Sequence, residues 1–200
     1  FEQHFVDRDF KDLDLPFAVV ATDLETGRER WLREGSVADA VRASIALPGL
    51  FTPVPYEGGF LVDGGLVDPV PVSLCRALGA DVVIAVDLGS DVVGSALRLP
   101  AAAEESETGW THRILARLGM AQNENEAARL PSLVSVLATS IHIMQVRIAR
   151  SRLAGEPADV LVAPRLAQLG LMDYHRGVEA IAEGRTAMRR MLPVLEAALG

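Results

Sequence analysis

One cysteine, Cys75, stands in 200 residues. That count excludes an internal disulfide framework and any multi-cysteine zinc site, and it suits a reducing, cytoplasmic compartment. Basic residues are in deficit: 19 Lys and Arg against 27 Asp and Glu give a net charge of −8 and a pI near 5.0. Proteins that hold nucleic acid neutralise its phosphates with clustered cations, so no nucleic-acid partner is expected. Neither a Walker-type phosphate loop nor a Gly-x-Gly-x-x-Gly loop is present. Internal repeats are missing as well. The opening residues, Phe1 to Phe5, contain neither an initiator Met nor a basic and apolar leader. They read as the start of a segment cut from something longer.

What is present is a globular composition, 50% hydrophobic and 23% charged, of a size that buries one full core. Residues 130–146 are free of Asp, Glu, Lys and Arg and alone raise the question of a membrane span. Ser132, Ser135, Thr139, Ser140, His142 and Gln145 interrupt them with groups that hydrocarbon penalises. Leu133, Leu137, Ile141, Met144 and Ile148 recur at three- and four-residue steps, which predicts a buried or half-buried soluble helix. Arg147, Arg150 and Arg152 follow directly, so a helix lying at a lipid interface stays open.

Residues 17–21 read as a buried strand that ends at Thr22 and Asp23, with a hairpin return through Gly27 into residues 29–32. Asp23 is expected to close that turn. Ser36 and Asp39 resemble a capping box ahead of a helix whose buried stripe would be Val37, Val41 and Ile45. Residues 60–62 form a short strand between glycine pairs. Residues 69–78 predict a helix with proline at its start and Gly79 at its end. Residues 82–86 and 159–163 are further apolar strands. Residues 174–199 predict a terminal helix with Val178, Ile181, Met188, Leu192 and Leu195 as its apolar positions, broken or kinked at Pro193. A strand, a helix and another apolar strand in this order signal a crossover in a mainly parallel sheet. We expect one domain over residues 1–200. Residues 1–88 and 157–200 would form its sheet core, and residues 89–156 a mobile connection plus the apolar helix.

Asp63 is the best candidate for chemistry. It sits where a buried strand ends and the Gly64-Gly65 turn begins, the edge at which α/β sheets gather ligands. The same pattern also arises when an aspartate simply bonds its own turn amides. Asp63, Asp68, Asp87 and Asp91 lack the tight spacing of a calcium loop. His142 reads as a hydrogen-bonded core or groove-lining residue, and His175 as an exposed first-turn residue.

Residues 43–54, then Asp63-Gly64-Gly65 and Pro69-Val70-Pro71, then residues 77–86 and Asp173-Tyr174-His175-Arg176-Gly177, together resemble the patatin-like phospholipase family. The similarity runs from about Pro16 to the C-terminus and is weakest over residues 89–157. The resemblance implies a three-layer α/β/α sandwich with a mainly parallel sheet, incomplete at its N-terminus. It implies a lipid acyl hydrolase with a Ser–Asp dyad, in which the base maps onto Asp63 and no metal or organic cofactor takes part. The family's serine lies in a Gly-x-Ser-x-Gly elbow, after a glycine-rich oxyanion loop. No serine of this chain has glycines two residues before and two after: Ser90 follows Gly89 but the next glycine is Gly94, and Ser44 lies in the helix before Pro48. The serine is therefore expected from a missing N-terminal segment of the same protein. The expected partners are a lipid or phospholipid acyl ester and, peripherally, a membrane. The alternative is a catalytically inactive lipid-binding or interaction module of the same fold. Asp68 stands where many members of the family carry Asn ahead of the Pro-x-Pro pair.

Overall fold

The computed structural model describes residues 8–90, 133–170 and 173–200. The expected mobile connection falls mostly outside this set. Strands β1 (Val19–Asp23) and β2 (Glu29–Leu32) pair antiparallel in the register Val19↔Leu32 to Thr22↔Glu29. Asp23 closes their turn as expected, its Oδ1 accepting the N–H groups of Thr26 at 2.9 Å and Glu25 at 3.2 Å. The N–H of Thr26, chief among these hydrogen bonds, holds the Asp23 carboxyl below its ordinary pKa.

Ser36 caps helix α1 (Val37–Ser44), its hydroxyl oxygen accepting the Asp39 N–H at 3.1 Å. The buried face of α1 matches the expected one in part: Val37 packs against the core. Ala40 and Ala43 are buried, whereas Ile45 lies past the last turn and is 42% exposed. The alanines let α1 settle close on the sheet, in a core with Phe10, Ala21, Leu32, Val54 and Leu61.

Strands β3 (Val54–Tyr56) and β4 (Gly59–Asp63) make a second hairpin. Its two loop residues, Glu57 and Gly58, both have positive φ, 47° and 85°, the geometry of a tight type I′ connection. The sheet order is β2-β1-β4-β3, antiparallel throughout. Among the described residues only β5 (Ile84–Val86) and β6 (Val160–Val162) pair in parallel, as a separate sheet. The architecture is therefore α/β, but the mainly parallel sheet and the expected crossover are not formed among the described residues. The reason is local. Both edges of β4 are already taken by β1 and β3, so helix α2 (Val72–Ala77) delivers the chain to another sheet. Gly79, at φ +92°, ends α2 as its sequence position suggests.

β5 is apolar, but it is covered on one face only. Ala85 is buried with Val70, Val72, Val83 and Ala149, while Ile84 and Val86 are 43% and 52% exposed. Helix α3 (Leu133–Gly155) supplies Ala149 to this second core, with Leu153 packed against it. Among the described residues no helix is long and apolar enough to cross a membrane. Helix α4 (Gly177–Leu199) covers β6 through Ala187, Met188, Met191 and Leu195. Its expected apolar positions Val178 and Ile181 are instead 80% and 59% exposed, because the helix packs on β6 from its middle, at Ala187, onward. The helix also runs on through Pro193 to Leu199, so of the expected kink or break the break does not occur.

Candidate functional site

The end of β4 is tied down on every side. The Asp63 N–H donates to the Ala46 carbonyl at 3.1 Å, and the Asp63 carbonyl accepts from the Thr22 hydroxyl at 2.7 Å. The side chain caps the 3-10 turn Gly64–Leu66, Oδ1 accepting the Gly65 N–H at 2.7 Å. Asp63 thus does bond its own turn amide, with one oxygen. The other, Oδ2, has no hydrogen-bond partner among the described residues. Burial raises the carboxyl above its ordinary pKa, and the Gly65 hydrogen bond opposes that shift.

The two glycines are required by space. An ideal Cβ on Gly64 would lie 2.1 Å from the Val20 carbonyl oxygen, and one on Gly65 would lie 2.5 Å from Gln145 Nε2. The turn is pressed between β1 on one side and α3 on the other, which aims Asp63 along a groove of about 480 Å³. That volume falls in the range of small-molecule sites.

β5 ends in the same device. Asp87 donates its N–H to the Val162 carbonyl at 2.9 Å, and its Oδ1 accepts the N–H of Gly89, two residues on, at 2.9 Å. Asp63 and Asp87 therefore face one groove from two different sheets. A third acid, Asp68, lines it at 3% exposure. Asp68 Oδ2 accepts from the Ser73 hydroxyl at 3.4 Å and lies 3.9 Å from an Arg152 nitrogen, while Oδ1 is buried with no hydrogen bond among the described residues. Burial raises its pKa, and Arg152 works against that rise. Arg152 also pairs with Glu29 on β2.

The α3 wall carries His142 and Gln145. His142 lines the groove, as one of its two readings held. Its Nε2 is buried without a partner among the described residues, so burial lowers the imidazole pKa and favours the neutral ring. Sequence reasoning treated Gln145 only as a polar interruption. The three-residue step from His142 to Gln145, which puts both on one side of a helix, was the available signal.

Ser44 lies on the same groove. Ser90 does not line it; its hydroxyl donates to the Asp87 carbonyl at 3.3 Å. His175 is exposed, and Cys75 is exposed and free. Asp91, like His4 and His112, lies outside the described residues. Among the described residues no cluster of three His, Cys, Asp or Glu side chains is arranged to hold a metal.

The family model described as patatin-like phospholipase matches residues 1–76. The chain is 31% identical to uncharacterized NTE family proteins of Mycobacterium bovis and Mycobacterium tuberculosis, over 93% of its own length and 65% of theirs. It thus spans somewhat less than two thirds of the length of these curated relatives. Patatin-like phospholipase domain-containing protein 7 of Mus musculus is 41% identical over 43% of the chain and 6% of that protein. Patatin-like phospholipase domain-containing protein 6 of Homo sapiens is 40% identical over the same shares.

Proposed function

The chain belongs to the patatin-like phospholipase family, and from that premise we propose that it supplies the acid of a lipid acyl hydrolase. Asp63 is the base of a Ser–Asp dyad, and the serine comes from a segment outside these 200 residues. One observation carries the reading: a half-buried carboxylate at a strand end keeps Oδ1 on Gly65 and leaves Oδ2, among the described residues, without a partner on a groove.

An ordinary carboxylate is a weak base towards a serine hydroxyl. Desolvation strengthens it, and the hydrogen bonds through Ala46, Thr22 and Gly65 hold it in one orientation. The serine oxygen attacks the ester carbonyl carbon while its proton passes to Asp63. The C–O bond to the alcohol then breaks, and that alcohol leaves with the proton. Water attacks the acyl-serine, gives a proton to Asp63, and the released serine oxygen recovers it. Donors for the tetrahedral oxyanion belong to the same outside segment as the serine. The setting is cytoplasmic, peripheral to lipid.

Asp63→Asn in the longer protein tests this. Asn keeps an oxygen for the Gly65 N–H, so the turn stays while the base is lost. Ester hydrolysis should fall by at least about 100-fold; undiminished turnover overturns the dyad. By itself the 200-residue chain should turn over no ester and take no fluorophosphonate label. Labelling at Ser44, the serine that shares the groove, would place the nucleophile inside the chain instead.

A further inference from the structure

Helix α3 is apolar on two opposite sides. One side, through Ala149 and Leu153, faces the core formed by Val70, Val72, Val83 and Ala85, and Val146 is buried on that side along the groove. The other side presents Leu137, Ile141, Met144 and Ile148 at steps of four, three and four residues. At 3.6 residues per turn, Met144 lies about 160° around the helix from Val146. Leu137 is 56% and Met144 50% exposed, and none of the four residues belongs to a buried cluster.

The charge of this helix is opposite to that of the chain. Three arginines and no Asp or Glu occupy its 23 residues, in a protein of net charge −8. Arg152 is engaged with Glu29 and Asp68, and Arg150 donates to the Ser90 carbonyl at 3.3 Å. Arg147 is exposed beside Met144 and makes no ion pair among the described residues.

The four-three-four spacing also fits a seam against another helix. The positions flanking the row are Ser140 and Arg147 on one side, and Ala138, Gln145 and Arg152 on the other. A second copy would therefore set Arg147 against a helix that carries no Asp or Glu. A surface that is apolar beneath and anionic on top satisfies the row and the cation together.

We propose that α3 docks the protein on an anionic phospholipid surface, with Leu137, Ile141, Met144 and Ile148 entering the acyl boundary and Arg147 on headgroup phosphate. The inference deepens the lipid-hydrolase reading and rests on it for its purpose. His142 and Gln145 of the same helix line the groove, so docking through the row holds that groove within about one helix diameter, ~10–12 Å, of its source of acyl esters.

The test is sedimentation of the full chain with vesicles of ether-linked phosphatidylcholine, with and without ether-linked phosphatidylglycerol. Ether lipids have no acyl ester, so binding is read without turnover. Binding should rise with phosphatidylglycerol and fall with added salt. Arg147→Gln should weaken it by about fivefold on the anionic vesicles only. Leu137→Glu with Met144→Glu should weaken it at least about tenfold on both. Should the double variant lose its helical circular dichroism, Met144→Gln, a single change at an exposed position, serves in its place. Wild-type protein that stays in the supernatant at low salt overturns the proposal, as do variants that pellet like wild type. A dimer that Met144→Glu dissociates assigns the row to a second copy and also overturns it. Asp63→Asn should bind vesicles normally, so loss of the dyad and loss of docking give different results.

Discussion

A methyl group on Gly64 has no room. Its carbon would lie 2.1 Å from the Val20 carbonyl oxygen, 2.6 Å from the carbonyl carbon and 3.2 Å from the Val20 Cβ. An ordinary carbon–oxygen approach is about 3.3 Å or more, so β1 and the turn must part by roughly 1 Å. Neither side yields easily. Val20 pairs with Trp31 inside the sheet, while Asp63 is held by Ala46 and Thr22. Overpacking costs about 1–3 kcal/mol when side chains absorb it. Here backbone must move, so about 3 kcal/mol is expected, a Tm fall of about 6–12 °C for a chain of this size. Gly65→Ala meets instead only side-chain atoms, Gln145 Nε2 at 2.5 Å and Asp63 Oδ1 at 3.1 Å, and should cost under about 1 kcal/mol once Gln145 swings away and the carboxylate shifts slightly. Gly58→Ala meets nothing within 4 Å but sits at φ +85°, for about 1–2 kcal/mol. The predicted order of loss is Gly64, then Gly58, then Gly65. Thermal and urea unfolding of the three variants, followed by circular dichroism, reads it directly. Gly64→Ala within about 0.5 kcal/mol of wild type, or Gly65→Ala as damaging as Gly64→Ala, would refute the packing argument.

Two predictions follow from the groove acids. Asp68→Asn should stabilise the protein by about 1 kcal/mol at neutral pH, since it removes a buried charge that has one distant cation, and Arg152 keeps Glu29. The sign with pH is set by the raised carboxyl: wild-type stability from Asp68 is fullest below the ordinary value of 3.8 and is lost as pH rises through the raised folded-state pKa. Urea midpoints of the two proteins should therefore converge in acid and separate towards neutrality, and a constant gap would contradict this. Asp63→Asn should behave with the same sign, because burial raises Asp63 too. The expected enzyme is thus less stable, at neutral pH, than its inactive variant; an Asn variant that is less stable at every pH would show that Asp63 is not desolvated.

Local chemistry was legible along the chain. The Asp23 turn, the Ser36 cap, the Gly79 helix end and Asp63 at a strand edge before two glycines each depend on hydrogen bonds spanning a few residues, and each stands where the residue types put it. Even the paired glycines announced a tight approach. What they approach was not legible. Val20 and Gln145 are remote in sequence, and nothing near Gly64 or Gly65 names them.

The amino-acid sequence by itself determined the turn chemistry, the caps, the family and the acid that waits at a strand end. Only the tertiary structure decided that β4 is flanked antiparallel on both sides, that Ala40 and Ala43 join Val37 on the core side of α1 while Ile45 does not, and that Asp63, Asp68 and Asp87 share one groove. The physical reason is range. A cap or turn is settled by groups within hydrogen-bond reach along the chain, whereas strand partners, buried faces and groove walls are chosen by competition among contacts between distant segments.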